Sequence, residues 1–347
     1  MKGICILVKE FKGYKKGINL GGWISQCGYY NYTKEHYDEF IHESDIKKIA
    51  EWKCDHVRLP FDYNVIQHEN GEMIHSGFEY IDNCVQWCKK HNLNLILDLH
   101  KAAGFSFDEE NFAFFCEPEL QEYFYKLWNE ISLRYGSLYE TVSFELLNEV
   151  TDMKYAESWN KIAQKTIEVI RNNAPHTKII VGGAENNSVN GMALLDKPHD
   201  ENIVFTFHFY SPIVFTHQKA CWIPDMPDDY NTFYPDKIEN YQSETKRLFD
   251  QRFSNDFLEG MSGEIDVKYF EDLFSVPCSI REKYNVPIYC GEYGVIEKVD
   301  ESEALKWFDD ITATFSKLDI GHAIWNYKGK DFGITDTGLS EFIDKII

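Results

Sequence analysis

The sequence predicts a (β/α)8 TIM barrel, an α/β fold in which one domain spans residues 1–347. Three observations carry that expectation. Eight short apolar or β-branched runs, bounded by Gly, Asn or Pro, alternate with longer stretches at helical spacing. The length of 347 residues exceeds an ordinary domain but suits a single barrel, and no linker or low-complexity tract divides it. Polar residues gather at the C-terminal ends of the apolar runs, the rim on which barrels of this type build their sites.

The predicted strands, in order, are GINLGGW (17–23), HVRLPF (56–61), LNLILDLH (93–100), VSFELLNE (142–149), TKIIVGG (177–183), IVFTFHFY (203–210), PIYCGEYG (287–294) and HAIWNYKG (322–329). Their mostly continuous apolar character is that of parallel strands covered on both faces. Amphipathic helices are predicted over 45–54, 80–92, 118–136, 155–173 and 302–319, with a short closing helix at 341–347. The connection from the sixth strand to the seventh, 211–286, is too long for one loop and one helix. It is predicted to carry an inserted subdomain over about 211–275, whose aromatic-rich first part suits a wall or lid over a site.

Composition narrows the function classes. With 57 acidic against 35 basic side chains, the formal charge of −22 disfavours nucleic acid and anionic membranes as partners but permits a neutral ligand. Aromatic residues make up 16%, enough to supply flat binding surface as well as core. The nine cysteines are scattered, with no C-x-x-C pair and no accompanying His cluster, so reduced thiols are expected rather than disulfides or a metal centre. The opening MKGICILVKEFKGYKK has too short an apolar centre for a signal peptide, and a cytoplasmic location is the expectation. No cofactor motif and no protein-partner motif is evident.

The stretch FELLNEV (144–150) places two glutamates and an asparagine in an apolar run, where an unpaired charge is costly. Glu149, at the strand end, is the candidate for chemistry; Glu145, deeper on the same face, is expected to sit in a polar network inside the barrel. Glu292 in CGEYG is the second carboxylate, and its flanking Gly291 and Gly294 allow close approach of backbone and ligand. Two carboxyl groups across a barrel mouth suit glycoside hydrolysis, in which one protonates the leaving oxygen while the other attacks or activates water. Arg58 beside a carboxylate would keep it ionised, and His208 and Tyr210 share a strand face from which both carboxylates are within reach. Asn148 offers donor and acceptor to a sugar hydroxyl. Trp325 is a stacking surface or a core residue, and His100 has no partner triad that would make it a metal ligand.

Taken in order, GINLGGW, VRLPFDY, LDLH, FELLNEV, FHFYSP, CGEYGV and AIWNYKG resemble glycoside hydrolase family 5, the cellulase family of clan A, over about residues 16–329. FTHQKA and the long connection are similar to the clostridial endoglucanase C group within it. The resemblance implies a retaining, cofactor-free mechanism with Glu149 as acid/base and Glu292 as nucleophile. Arg58, His100, Asn148, His208, Tyr210 and Trp325 would line the substrate pocket. It implies an endo-β-1,4-glucanase acting on soluble or mixed-linkage β-glucan, with mannan, glucomannan or β-1,3-glucan, and their manno- or gluco-oligosaccharides, as alternatives. A binding-only carbohydrate barrel is the alternative from another class. The sequence departs from the family pattern at HKAAG, where Lys101 and Ala103 stand; Lys101 points to solvent or alters a sugar subsite.

Overall fold

The computed structural model describes residues 9–26, 32–109, 111–329 and 331–347. The opening apolar segment up to residue 8, with Cys5, and Cys27 lie outside the described residues. Eight parallel strands close into a barrel in sequence order, β1-β2-β3-β4-β5-β6-β7-β8. They are β1 Lys16–Asn19, β2 His56–Asp62, β3 Asn94–Lys101, β4 Val142–Glu145, β5 Ile179–Gly182, β6 Ile203–Phe209, β7 Ile288–Tyr293 and β8 Gly321–Ile324. Closure is made by β8 on β1, with His322 opposite Lys16 and Ile324 opposite Ile18. All eight predicted runs contain a strand, but regular pairing stops earlier than predicted in β1, β4 and β8. After β4 the chain stays attached through single bonds, Leu146 N to Ile180 O and Asn148 N to Leu99 O, so Asn148 and Glu149 lie just past the ladder at the mouth.

The helices follow from capping and face patterning. Pro118 opens Pro118–Tyr135, and Phe124, Leu127, Trp128, Ile131 and Tyr135 form its buried stripe. Asp300 caps Glu301–Leu318 by accepting from Ser302 N, and Asp319 in the left-handed region ends it. Three buried tryptophans have a shared task. The indole N–H groups of Trp128, Trp159 and Trp307 donate to the carbonyls of Leu146, Gly182 and Ser211, where strands leave the barrel and carbonyls lose their ladder partners. Much of the aromatic surplus is therefore structural.

Two units depart from a plain strand–helix alternation. Between β5 and β6 there is no long helix, only a four-residue turn, Ala184–Asn187, and a 3-10 turn, Gly191–Leu194. Between β6 and β7 the chain forms Ile213–Thr216, Ile238–Phe249 and the 3-10 turn Ser254–Asp256 before the barrel helix Val267–Tyr284. Its apolar residues, among them Tyr234, Ile238, Tyr241, Phe249 and Ile265, belong to the same continuous core as the barrel helices. One buried carboxyl pins this connection: Asp256 accepts from Ser211 Oγ and Ile213 N, each at 2.6 Å, and its carbonyl accepts from Tyr269 Oη at 2.7 Å. Asp256→Ala strands Ser211 Oγ and Ile213 N while leaving the backbone carbonyl that Tyr269 uses, so a loss of about 1–3 kcal/mol is expected. Thermal unfolding and limited proteolysis should show a lowered midpoint and new cleavage within 211–266; an unaltered digest would mean that this pin is dispensable.

Candidate active site

The strand ends deliver a polar cluster built around one cation. Arg58, from β2, is fully buried. Its Nε and Nη2 grip Glu145 at 2.8 and 3.0 Å, while Nη2 also meets Asn148 Oδ1 at 3.0 Å and Asp98 Oδ2 at 3.0 Å. Its Nη1 donates to Asn19 Oδ1 at 2.9 Å and to Glu292 Oε1 at 2.7 Å. Every N–H of the guanidinium has an acceptor, the condition under which a buried charge is tolerated. Asn148 accepts from Arg58 through its oxygen, which leaves its NH2 as the end available to a ligand hydroxyl.

Glu149 and Glu292 face one another across this cluster. An oxygen of each, together with a ring nitrogen of His208, lies within 4.8 Å of the others. His208 Nδ1 is 2.7 Å from Glu149 Oε1 and 3.5 Å from Glu292 Oε2, so with only carboxylate oxygens around it this nitrogen is the N–H donor. Its Nε2 then accepts from Asn187 Nδ2 at 3.5 Å, which fixes a neutral ring. Glu292 Oε2 also accepts from Tyr210 Oη at 2.9 Å. A shift in strand register after Phe207 sets His208 directly opposite Glu292.

Protonation in the cluster is decided by burial against too few cations. Arg58 is held well above its ordinary value: burial opposes its charge, but Asp98, Glu145 and Glu292 overcome it. Burial raises Asp98 to about 7 against the pull of Arg58, and raises Glu145 and Glu149 as well. Burial lowers His100 and His208 to about 4, so both are neutral at neutral pH. Burial thus favours the protonated form of Glu149, while Glu292 accepts hydrogen bonds from both Arg58 and Tyr210. As a cation site the trio Glu149, His208 and Glu292 is compromised: His208 turns an N–H inward, and Arg58 already occupies one Glu292 oxygen.

The eight residues singled out in the sequence fall into two groups. Arg58, Asn148, Glu149, His208, Tyr210 and Glu292 share direct contacts. His100 and Trp325 form the adjoining wall, stacked with ring centroids 5.5 Å apart and 3° between planes, and His100 Nδ1 is 2.7 Å from Asp98 Oδ2. The two glycines beside Glu292 serve protein neighbours rather than ligand. A Cβ on Gly294 would fall 2.3 Å from the Trp325 carbonyl, and one on Gly291 3.0 Å from His208 Nε2. Lys101 does not point to solvent: it is buried, lies 2.8 Å from Asp108 Oδ2 and sits over Phe107.

Sequence reasoning passed over Asp98, Asn19, Asn186 and His217. Asp98 was detectable, being a carboxyl inside an apolar strand and two residues before His100 on the same face. Asn186 Nδ2, 3.1 Å from Glu149 Oε2, gave no such signal. Beyond Tyr210 an aromatic group, His217, Phe332 and Trp222, runs outward from the site, and Trp222 is 45% exposed. The first part of the long connection therefore presents a flat face near the mouth.

Arg58→Leu leaves Asp98 and Glu145 buried without their cation, and about 3–5 kcal/mol of stability should be lost. Denaturant unfolding would read this as a lower midpoint at unchanged slope, and a midpoint equal to wild type would show that the cluster neutralises itself without Arg58.

Comparison with known proteins agrees with this geometry. The family described as cellulase (glycosyl hydrolase family 5) matches residues 14–331. Cellodextrinase A of Ruminococcus flavefaciens is 43% identical over 333 residues, covering 95% of this chain and 88% of that protein. Endoglucanase C of Acetivibrio thermocellus is 39% identical over 325 residues, covering 92% and 93% respectively. Among solved structures, Thermotoga maritima Cel5A in complex with cellobiose superposes with a TM-score of 0.77 at 23% identity, over 97% of this chain and 98% of that one, a likeness of fold.

Proposed function

The chain belongs to glycosyl hydrolase family 5, and from that premise we propose that it is a retaining endo-β-1,4-glucanase acting on soluble β-glucans and cello-oligosaccharides. The observation that carries the mechanism is the separation of the two carboxyl groups, with an oxygen of Glu149 and one of Glu292 within 4.8 Å. Retaining enzymes hold their carboxyls about 5–5.5 Å apart, whereas inverting enzymes leave about 6.5–9.5 Å for an intervening water. Both relatives are named for cleavage of glucans, which favours the glucanase over the mannanase reading. The intact carboxyl pair favours catalysis over binding alone.

In this reading Glu292 attacks the anomeric carbon while Glu149 gives its proton to the departing glycosidic oxygen. The C–O bond to the leaving sugar breaks as the bond to Glu292 forms. Water then attacks the same carbon, Glu149 takes its proton, and the bond to Glu292 breaks. The Tyr210 and Arg58 donors hold both Glu292 oxygens in place and lose strength as its charge is spent, which suits a nucleophile that must also leave. The NH2 of Asn148 and the His100 edge opposite Asp98 would then meet hydroxyls of the sugar being attacked. Trp325, stacked on His100, and the exposed Trp222 supply flat faces near the carboxyl pair, apt for pyranose rings.

Two variants test the roles. Glu292→Ala should release no reducing sugar from barley mixed-linkage glucan or carboxymethyl cellulose, and a fluorosugar trap should label Glu292 in the wild type; an adduct on another residue would move the nucleophile. Glu149→Gln should slow cleavage of natural glucans by about 10²–10⁴-fold while affecting activated aryl glycosides far less. Equal slowing of both would show that Glu149 does not protonate the leaving group. Shortening of the polymer before small sugars accumulate is the expected sign of internal cleavage, and laminarin and glucomannan run alongside report the linkage preference.

A further inference from the structure

The segment after β5 reads GGAENNS, and its backbone is unusual. Glu185, Asn186 and Asn187 have φ of 60°, 54° and 52°, three successive left-handed residues where L-residues ordinarily occur singly. Glycines make the turn possible: a Cβ on Gly183 would fall 2.1 Å from Gly191 O, and one on Gly182 2.2 Å from Asn187 Oδ1. The turn is tied down on two sides. Ala184 bridges to Val150 and Asn186 N donates to Val150 O at 3.1 Å, so the turn is anchored on the chain neighbour of Glu149. On the other side Glu185 Oε1 accepts from Asn255 Nδ2 of the long connection at 2.7 Å, and its Oε2 from Ser188 Oγ at 2.8 Å.

This strained and doubly anchored backbone carries two amides to the site, Asn187 to His208 Nε2 at 3.5 Å and Asn186 to Glu149. Asn186 Nδ2 lies 3.1 Å from Glu149 Oε2, the oxygen that His208 leaves open by bonding Oε1. Strain that persists beside reacting groups is a sign of function when the surroundings over-determine it, as here. We propose that Asn186 is a positioning residue for the hydrolytic reaction, its amide held on Oε2 of Glu149 by the left-handed turn to orient that oxygen and to stabilise its carboxylate form during the second step. This rests on the reading of Glu149 as acid/base.

The effect on titration can be given a sign. Glu149 is faced by Asn186 after β5, by His208 from β6 and Glu292 from β7, and more distantly by Arg58, His100, Asp98 and Tyr210. Burial raises its pKa, and the Asn186 hydrogen bond is foremost among the influences that lower it. Removing that donor raises the pKa further. The first step needs protonated Glu149 and fails as pH rises through its pKa, so the alkaline limb of kcat/KM should move to higher pH.

The test uses Asn186→Gly, which removes the donor at a φ that glycine accepts readily, and Asn186→Asp, which replaces the donor by a like charge. The alkaline limb of kcat/KM on a cello-oligosaccharide should rise by about half to one pH unit in Asn186→Gly, and further in Asn186→Asp. A limb unmoved in both variants, whatever the drop in turnover, would mean that Asn186 serves only the shape of the loop. The Glu149→Gln comparison of leaving groups separates this outcome from failure of the underlying reading. If its loss is confined to poor leaving groups, an unmoved limb counts against Asn186 alone; if both substrates slow equally, the acid/base assignment and this proposal fall together.

Discussion

The guanidinium of Arg58 joins five side chains of the barrel mouth: Asn19 of β1, Asp98 of β3, Glu145 of β4, Asn148 just beyond it, and Glu292 of β7. A buried ion is expensive, and its environment recovers the cost only when its geometry is complete. Completeness here fixes a great deal. The deep Glu145 holds two edges of the fork, so the remaining N–H groups can point only where Glu292, Asn148 and Asn19 stand. The orientation of the Asn148 amide and the placing of a Glu292 oxygen are thus consequences of a charge that chemistry itself does not consume.

The same cation also governs how protons are shared. One guanidinium cannot neutralise Asp98, Glu145, Glu149 and Glu292 together, and the two adjoining imidazoles, His100 and His208, are too deeply buried to charge. Burial therefore leaves protons on part of the carboxyl set, with Asp98 at about 7 and Glu149 raised. Glu292 accepts from Arg58 on one oxygen and from the Tyr210 hydroxyl on the other. The proposed division into one proton donor and one nucleophile rests on this unequal access to a single cation.

Around this core the two irregular units of the barrel meet. The connection after β6 is held by Asp256 and touches the turn after β5 through Asn255 and Glu185. That turn in turn carries Asn186 to Glu149. Segments that look peripheral in the chain, a turn in place of a helix and a long excursion between strands, are thereby brought into contact with one carboxyl oxygen.

Much of this was legible in the chain itself. Apolar runs alternating with amphipathic stretches specify parallel strands wrapped by helices, because each pattern can bury its apolar face in only one way, and carboxylates within such runs need a polar rim to justify them. That reasoning reached Arg58, Asn148, Glu149, His208, Tyr210 and Glu292, and it would have reached Asp98 had the same test been applied to LDLH. It could not reach Asn186, whose role depends on a left-handed turn that leaves no periodicity, nor foresee that Gly291 and Gly294 make room for His208 and Trp325 instead of ligand. Local pattern determined the barrel, its rim and the identity of its charged residues, since burial and periodicity act along the chain. Only the closed tertiary structure decided which carboxyl meets the Arg58 cation and which meets His208 and Asn186, because distances and screening between residues far apart in sequence exist only once the strands have closed.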